Sequence, residues 1–181
     1  MILLTLGVFL WALAHYFKRF APEARAALGN KGKGLVAVAI VVSLLMMIFG
    51  YRGAEYIQFW SPPSWTVHLN NLMMLVAVFV YGMSATTGRL RGKLRHPQLT
   101  AVKIWAVAHL LVNGHLAALI LFGGLLAWAV GSVIMINRSE PWVKPKPGDP
   151  KKDILLVVIT LVLFGVMTAI HAWLGVWPFP R

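Results

Sequence analysis

The chain has 181 residues, of which 59% are hydrophobic and 12% charged, and its mean hydropathy of +0.75 lies far outside the soluble range. A formal charge of +12 would fit nucleic acid only if the cations covered one face of a soluble fold; they sit instead in short loops between apolar runs, which excludes a nucleic-acid partner and leaves the lipid bilayer as the first one. Cysteine is absent, so disulfides, thiolate metal sites and cysteine nucleophiles are excluded, and any metal or cofactor must use histidine, methionine or oxygen.

Apolar runs occur in order at Met1–Phe17, Leu35–Tyr51, Val67–Gly88, Leu99–Val112, Leu116–Ile136 and Ile154–Trp177. Most are long enough at about 1.5 Å per residue to cross about 30 Å of hydrocarbon. The first run lacks a basic segment before it and a small-residue cleavage site after it, so it is expected to be a mature helix rather than a secretory signal. The fourth and fifth runs are separated only by Asn113-Gly114-His115, a turn signal. One uninterrupted helix there would overshoot the bilayer, so a tight helical hairpin is expected, its first arm starting near Pro97. Gly114 is expected to supply a positive φ at that turn. The proline-rich stretch Pro141–Pro150 reads as an extended, solvated loop. Trp60, Trp65, Trp142, Trp173 and Trp177 fall at the ends of runs, where indole rings favour the membrane interface.

The expected fold is therefore an all-α polytopic bundle of about six transmembrane helices forming one domain over residues 1–181. Charge gives an independent check on the count. Fourteen of the seventeen Lys and Arg residues fall in the first, third and fifth loops, represented by Lys18, Arg19, Arg89, Arg95, Lys144 and Lys152. Since Lys and Arg concentrate in short cytoplasmic loops, both termini are expected to be periplasmic.

Within the runs there is no acid: Glu23, Glu55, Glu140, Asp149 and Asp153 are the only carboxylates, and all lie outside. That disfavours carboxylate proton relays, hydrolytic acid pairs and Mg²⁺ cages. Histidine remains. His68 and His115 fall near the outer interface and His96 beside Pro97, positions where an interfacial structural role is the plain reading. His109 is different, about 12 residues into its helix and so roughly 18 Å from the helix start. An ionisable group at that depth is a functional-site candidate, with interhelical hydrogen bonding as the competing role. Trp105 and Asn113 share its face at i−4 and i+4. A neutral imidazole with aromatic neighbours and no nearby carboxylate suits the axial position of haem iron, and His15 and His171 are the candidates for a second ligand.

The stretch Arg95-His96-Pro97-Gln98-Leu99-Thr100-Ala101-Val102-Lys103-Ile104-Trp105-Ala106-Val107-Ala108-His109-Leu110-Leu111-Val112-Asn113-Gly114 resembles the signature of the NnrU family. Trp60-Ser61-Pro62-Pro63-Ser64-Trp65 with His68, the early His15, and Leu119–Trp128 fit the same family. The resemblance covers essentially the whole chain. It implies a small bacterial inner-membrane protein linked to denitrification and nitric oxide metabolism. The plant zeta-carotene isomerases are similar to that family and bind haem b through a histidine in a Trp-x-x-Ala-His stretch, which Trp105-Ala106-Val107-Ala108-His109 matches. The resemblance thus implies haem b as cofactor, with His109 and His15 as its iron ligands; His171, matched in depth to His109, is the alternative to His15. The isomerases carry a cysteine three residues before their histidine, where this chain has Ala106, so no sulfur can replace the imidazole here. Two other classes compete. Arg95-His96-Pro97 also resembles the cofactor-site entry of isoprenylcysteine methyltransferases, and a span region so poor in polar groups would suit an accessory subunit bound to other proteins of a respiratory or photosynthetic complex. The sequence names no substrate and leaves open whether the chain is an enzyme.

Overall fold

The first apolar run forms helix α1 (Ile2–Phe20), which stops where Ala21 leaves the helical region. Pro22, whose fixed φ suits a first helical turn, opens the short helix α2 (Pro22–Ala27). Gly29, at φ +52°, then turns the chain into α3 (Gly29–Arg52). The expected start of this helix at Leu35 was too late. Lys31 and Lys33 continue it, since long cationic side chains can run their methylene stems along the helix while the charges reach water. The remaining helices are α4 (Thr66–Gly82), α5 (Pro97–Val112), α6 (Leu116–Ser139) and α7 (Lys151–Trp173). The computed structural model describes residues 1–179, and among them it holds these seven helices and no strand. Residues 140–149 adopt no regular secondary structure, in keeping with their four prolines up to Pro150.

Helices α1, α3, α6 and α7 have 19, 24, 24 and 23 residues and are apolar enough to cross a membrane. Helices α4 and α5 are equally apolar but have only 17 and 16 residues, a rise of about 24 to 26 Å against roughly 30 Å of hydrocarbon. The chain is an all-helical, multi-pass membrane protein. Its apolar side chains face outward along the long helices, with Phe9 60%, Val38 61% and Val162 58% exposed, which in water would be untenable and in lipid is expected.

Two compact units share the chain. The first comprises residues 1–61 and 113–128. Here α1 and α3 run antiparallel, Leu4 beside Gly50 and Gly7 beside Met47. A Cβ on Gly50 would lie 2.5 Å from the Leu4 backbone nitrogen, and one on Gly7 2.9 Å from that of Met47. Small residues therefore let the two backbones touch, which is how helices gain dispersion energy in lipid where apolar burial gains nothing. Leu4 and Ser43 are completely buried in this seam. The start of α6 packs on α1 through a single wide π turn at Leu119–Gly123, with Val8 against Gly124.

The second unit comprises residues 62–112 and those from 129 onward. Helix α4 packs on both α5 and α7 around Val80, Met83, Ala101 and Leu156, flanked by Phe79, Leu90 and Ile104. The expected helix to Gly88 ends instead at Gly82. Past it the chain folds onto the start of α7, because the Asp153 carboxylate accepts the backbone N–H groups of Arg89 (3.0 Å) and Leu90 (3.3 Å). Gly88 has no room for a side chain beside that carboxylate, and its carbonyl accepts the Gly148 N–H at 3.1 Å.

Candidate functional site

His15 lies near the end of α1, where its Nδ1 is 2.8 Å from the Trp11 carbonyl. His109 lies in the last turn of α5, three residues before its end rather than deep within the helix as its run suggested, with Nδ1 3.0 Å from the Trp105 carbonyl. In α7, His171 has Nδ1 2.7 Å from the Met167 carbonyl. A carbonyl only accepts, so in all three rings Nδ1 carries the proton and Nε2 carries the lone pair. This is the tautomer that metal-binding histidines adopt when a backbone carbonyl orients them. All three rings are half-buried.

Aromatic rings surround two of them. The ring centre of Trp11 lies 4.3 Å from that of His15 and the ring centre of Trp128 4.8 Å from it, with the two indoles edge to face at 5.4 Å. The Tyr16 hydroxyl donates to the Trp128 carbonyl at 2.7 Å and fixes this corner of the first unit. In the second unit the Trp105 ring is 5.2 Å from His109.

The other histidines are built differently. The Ala118 N–H donates to Nδ1 of His115 (3.3 Å), capping the start of α6, and Nε2–H of His115 is 3.2 Å from the Tyr51 hydroxyl. That is the opposite tautomer, with both nitrogens used by the fold. Burial lowers the His115 pKa from its usual 6.5. With the folded pKa below the unfolded one, the unfolded chain binds more protons, so this stabilisation is complete above about pH 6.5 and is lost as pH falls through 6.5 toward the folded value. Thermal unfolding in detergent should show Tm falling between pH 7.5 and 5.5, and His115→Asn, which keeps a capping oxygen but does not titrate, should lose part of that fall. An identical pH dependence in the variant would show that the cap is not sensitive to protonation. His68 is exposed in the first turn of α4. Nε2–H of His96 donates to Asn137 Oδ1 at 2.8 Å, and Arg95 donates to the carbonyls of Ile136 and Glu140. The Arg-His pair before Pro97 is thus spent on tying the start of α5 to the end of α6.

One signal in the sequence had been missed. Trp11-Ala12-Leu13-Ala14-His15 and Trp105-Ala106-Val107-Ala108-His109 share the pattern Trp-Ala-x-Ala-His, differing only at the third position, and each folds with its histidine bonded to its own tryptophan carbonyl. Ala14, Ala106 and Ala108 are buried, so the repeat packs a smooth alanine face beside each imidazole. Among the described residues no three His, Asp or Glu side chains are grouped to hold a metal ion. The chemistry available is that of individual neutral imidazoles set among indoles.

Fold and site together define a multi-pass helical membrane protein that carries oriented imidazoles within its helices. Residues 3–178 match the family described as NnrU protein, and the chain belongs to the NnrU family. No curated protein and no solved structure matches it.

Proposed function

We propose that this NnrU-family protein is a six-span inner-membrane protein that binds haem b through His109, with His15 as the second ligand, and serves a redox-linked role in denitrification or nitric oxide metabolism. The observation that carries the reading is the repeated Trp-Ala-x-Ala-His turn, which gives His15 and His109 one local construction and one tautomer. The donor set suits iron: Nδ1–H is held by a carbonyl, Nε2 bears the lone pair, and indole rings supply flat apolar cover. Beside His15, the buried Trp11 Nε1–H has no hydrogen-bond partner among the described residues, a donor suited to a polar edge of a bound group. Haem b, when held, supplies a one-electron couple. The chain's own contribution is to fix the imidazole planes, leave the helices of His15 and His109 without a carboxylate and surround the ligands with hydrocarbon. His171 has the same tautomer but follows Met167 rather than tryptophan, and it is the alternative second ligand.

The purified protein tests this reading. About one haem per chain is expected, with a Soret band and split visible bands on reduction, and a colourless protein from haem-sufficient cells would refute it.

The six-span arrangement adds the shorter helices α4 and α5 to the four long ones, with α5 and the start of α6 as the two sides of a tight hairpin. Its support is the bonding of Arg95 and His96 to the end of α6, together with fourteen of the seventeen Lys and Arg residues falling in alternate loops. Reporter fusions after Gly32 and after Lys146 should both read cytoplasmic, with the termini periplasmic. A periplasmic signal after Lys146 would remove one span.

A further inference from the structure

Within the second unit, α4, α5 and α7 enclose a cavity of about 340 Å3 lined by residues that include Ala77, Tyr81, Ala101, Leu156, Leu163 and Met167. Tyr81 is 53% exposed and Leu163 47% exposed, so the cavity is an open cleft on the outer face of the helices. The Thr160 hydroxyl in its wall donates to the Leu156 carbonyl of its own helix at 2.8 Å. Such a wall selects hydrocarbon. From Leu156 to Met167 the cleft rises about 16 Å along α7, which is about half of the roughly 30 Å hydrocarbon core, the depth of one leaflet.

One end of the cleft is strongly basic. Residues 152, 156, 159 and 163 share one face of α7, so Lys152 stands one turn below Leu156 at the foot of the cleft. The Asp153 carboxylate holds the Arg89 backbone against the same helix start, and Arg89, Arg91, Lys93, Lys151 and Lys152 are all exposed. Asp149 and Asp153 direct carboxylate oxygens at the backbone N–H groups of Lys151, Arg89 and Leu90. An apolar slot one leaflet deep with a cationic foot complements one kind of molecule.

We infer that the cleft holds an acyl chain of an anionic phospholipid whose phosphate is held by Lys152 and Arg89. Trp105 and Met167, whose carbonyls orient His109 and His171, line the cleft, while Lys152 stands at its other end, below Leu156. Native mass spectrometry of delipidated full-length protein, offered equal amounts of phosphatidylglycerol and phosphatidylcholine, reads it directly. Phosphatidylglycerol should be retained preferentially, by roughly fivefold for each cation engaged. Lys152→Gln with Arg89→Gln, both surface changes, should bring the two lipids to parity, and Leu163→Trp should reduce retention of both by filling the cleft. Equal retention of the two lipids by the wild type, or a preference that survives the double variant, would overturn the proposal. Inorganic phosphate in excess should leave the lipid in place; its displacement by phosphate would mean a headgroup site without an acyl chain, which also overturns it.

Discussion

Gly114→Val should leave little folded protein in the membrane. In the first unit the Gly114 carbonyl accepts the N–H groups of Phe59 (2.7 Å) and Trp60 (3.1 Å), while the Leu116 N–H donates to the Ile57 carbonyl at 2.8 Å. Gln58 and His115 face each other as an isolated antiparallel pair, so the 57–60 segment is laid across the 113–116 turn. A Cβ at position 114 would overlap the Trp60 carbonyl. Backbone atoms cannot swing aside as a side chain can, so the variant must separate the two segments. Three hydrogen bonds at about 1 kcal/mol each are then lost, with a steric term of about 1 to 3 kcal/mol besides. Against a total stability of about 5 to 15 kcal/mol that is a large share. Detergent-extractable yield and Tm measure it, and Gly114→Ala should move both the same way by less. Wild-type values in Gly114→Val would mean that the 57–60 segment does not hold the turn.

The place of this turn was legible in the sequence and its cause was not. Asn113-Gly114 was expected to need a positive φ, yet the described glycines with positive φ are Gly29, Gly92 and Gly175. What excludes a side chain at 114 is a carbonyl more than fifty positions earlier, which no local turn rule can register. The same holds for the end of α4. Apolar residues run on toward Gly88, but capture of the Arg89 and Leu90 N–H groups by Asp153 draws residues 83–90 out of the helix. The apolar runs themselves were readable because lipid imposes composition on every residue of a span. The small helix α2 was announced only by Pro22 and an acid in its first turn, Glu23, within a stretch whose charge pointed to a loop. Of the site, His109 stood out by its distance from the start of its run, although α5 ends only three residues beyond it. Trp105 stood out as the aromatic residue one turn before His109, but Trp11 did not, and the part both play through their backbone carbonyls was hidden because a carbonyl has no sequence signature. His115 looked like one interfacial histidine among several, and its difference from the others lies in which nitrogen carries the proton.

His109→Ala should abolish haem retention while insertion and the helical spectrum persist. The substitution leaves the α5 backbone intact, and alanine is already its neighbour at positions 106 and 108, both fully buried. A small residue at a helix interface in lipid is well tolerated. Removing an iron–imidazole bond leaves nothing on α5 to replace it, since Ala106 carries no sulfur and α5 has no acid. Trp105→Phe separates the two contributions of the preceding turn. The backbone carbonyl still holds Nδ1–H, so bis-imidazole bands should survive in that variant, with weaker retention from the smaller ring. The most direct measurement is the absorption spectrum of purified His15→Ala, His109→Ala and His171→Ala beside the wild type, oxidised and reduced. The account predicts a six-coordinate bis-imidazole spectrum in the wild type and in His171→Ala, a five-coordinate spectrum in His15→Ala, and loss of the bands in His109→Ala; an unchanged haem spectrum in His109→Ala would contradict it.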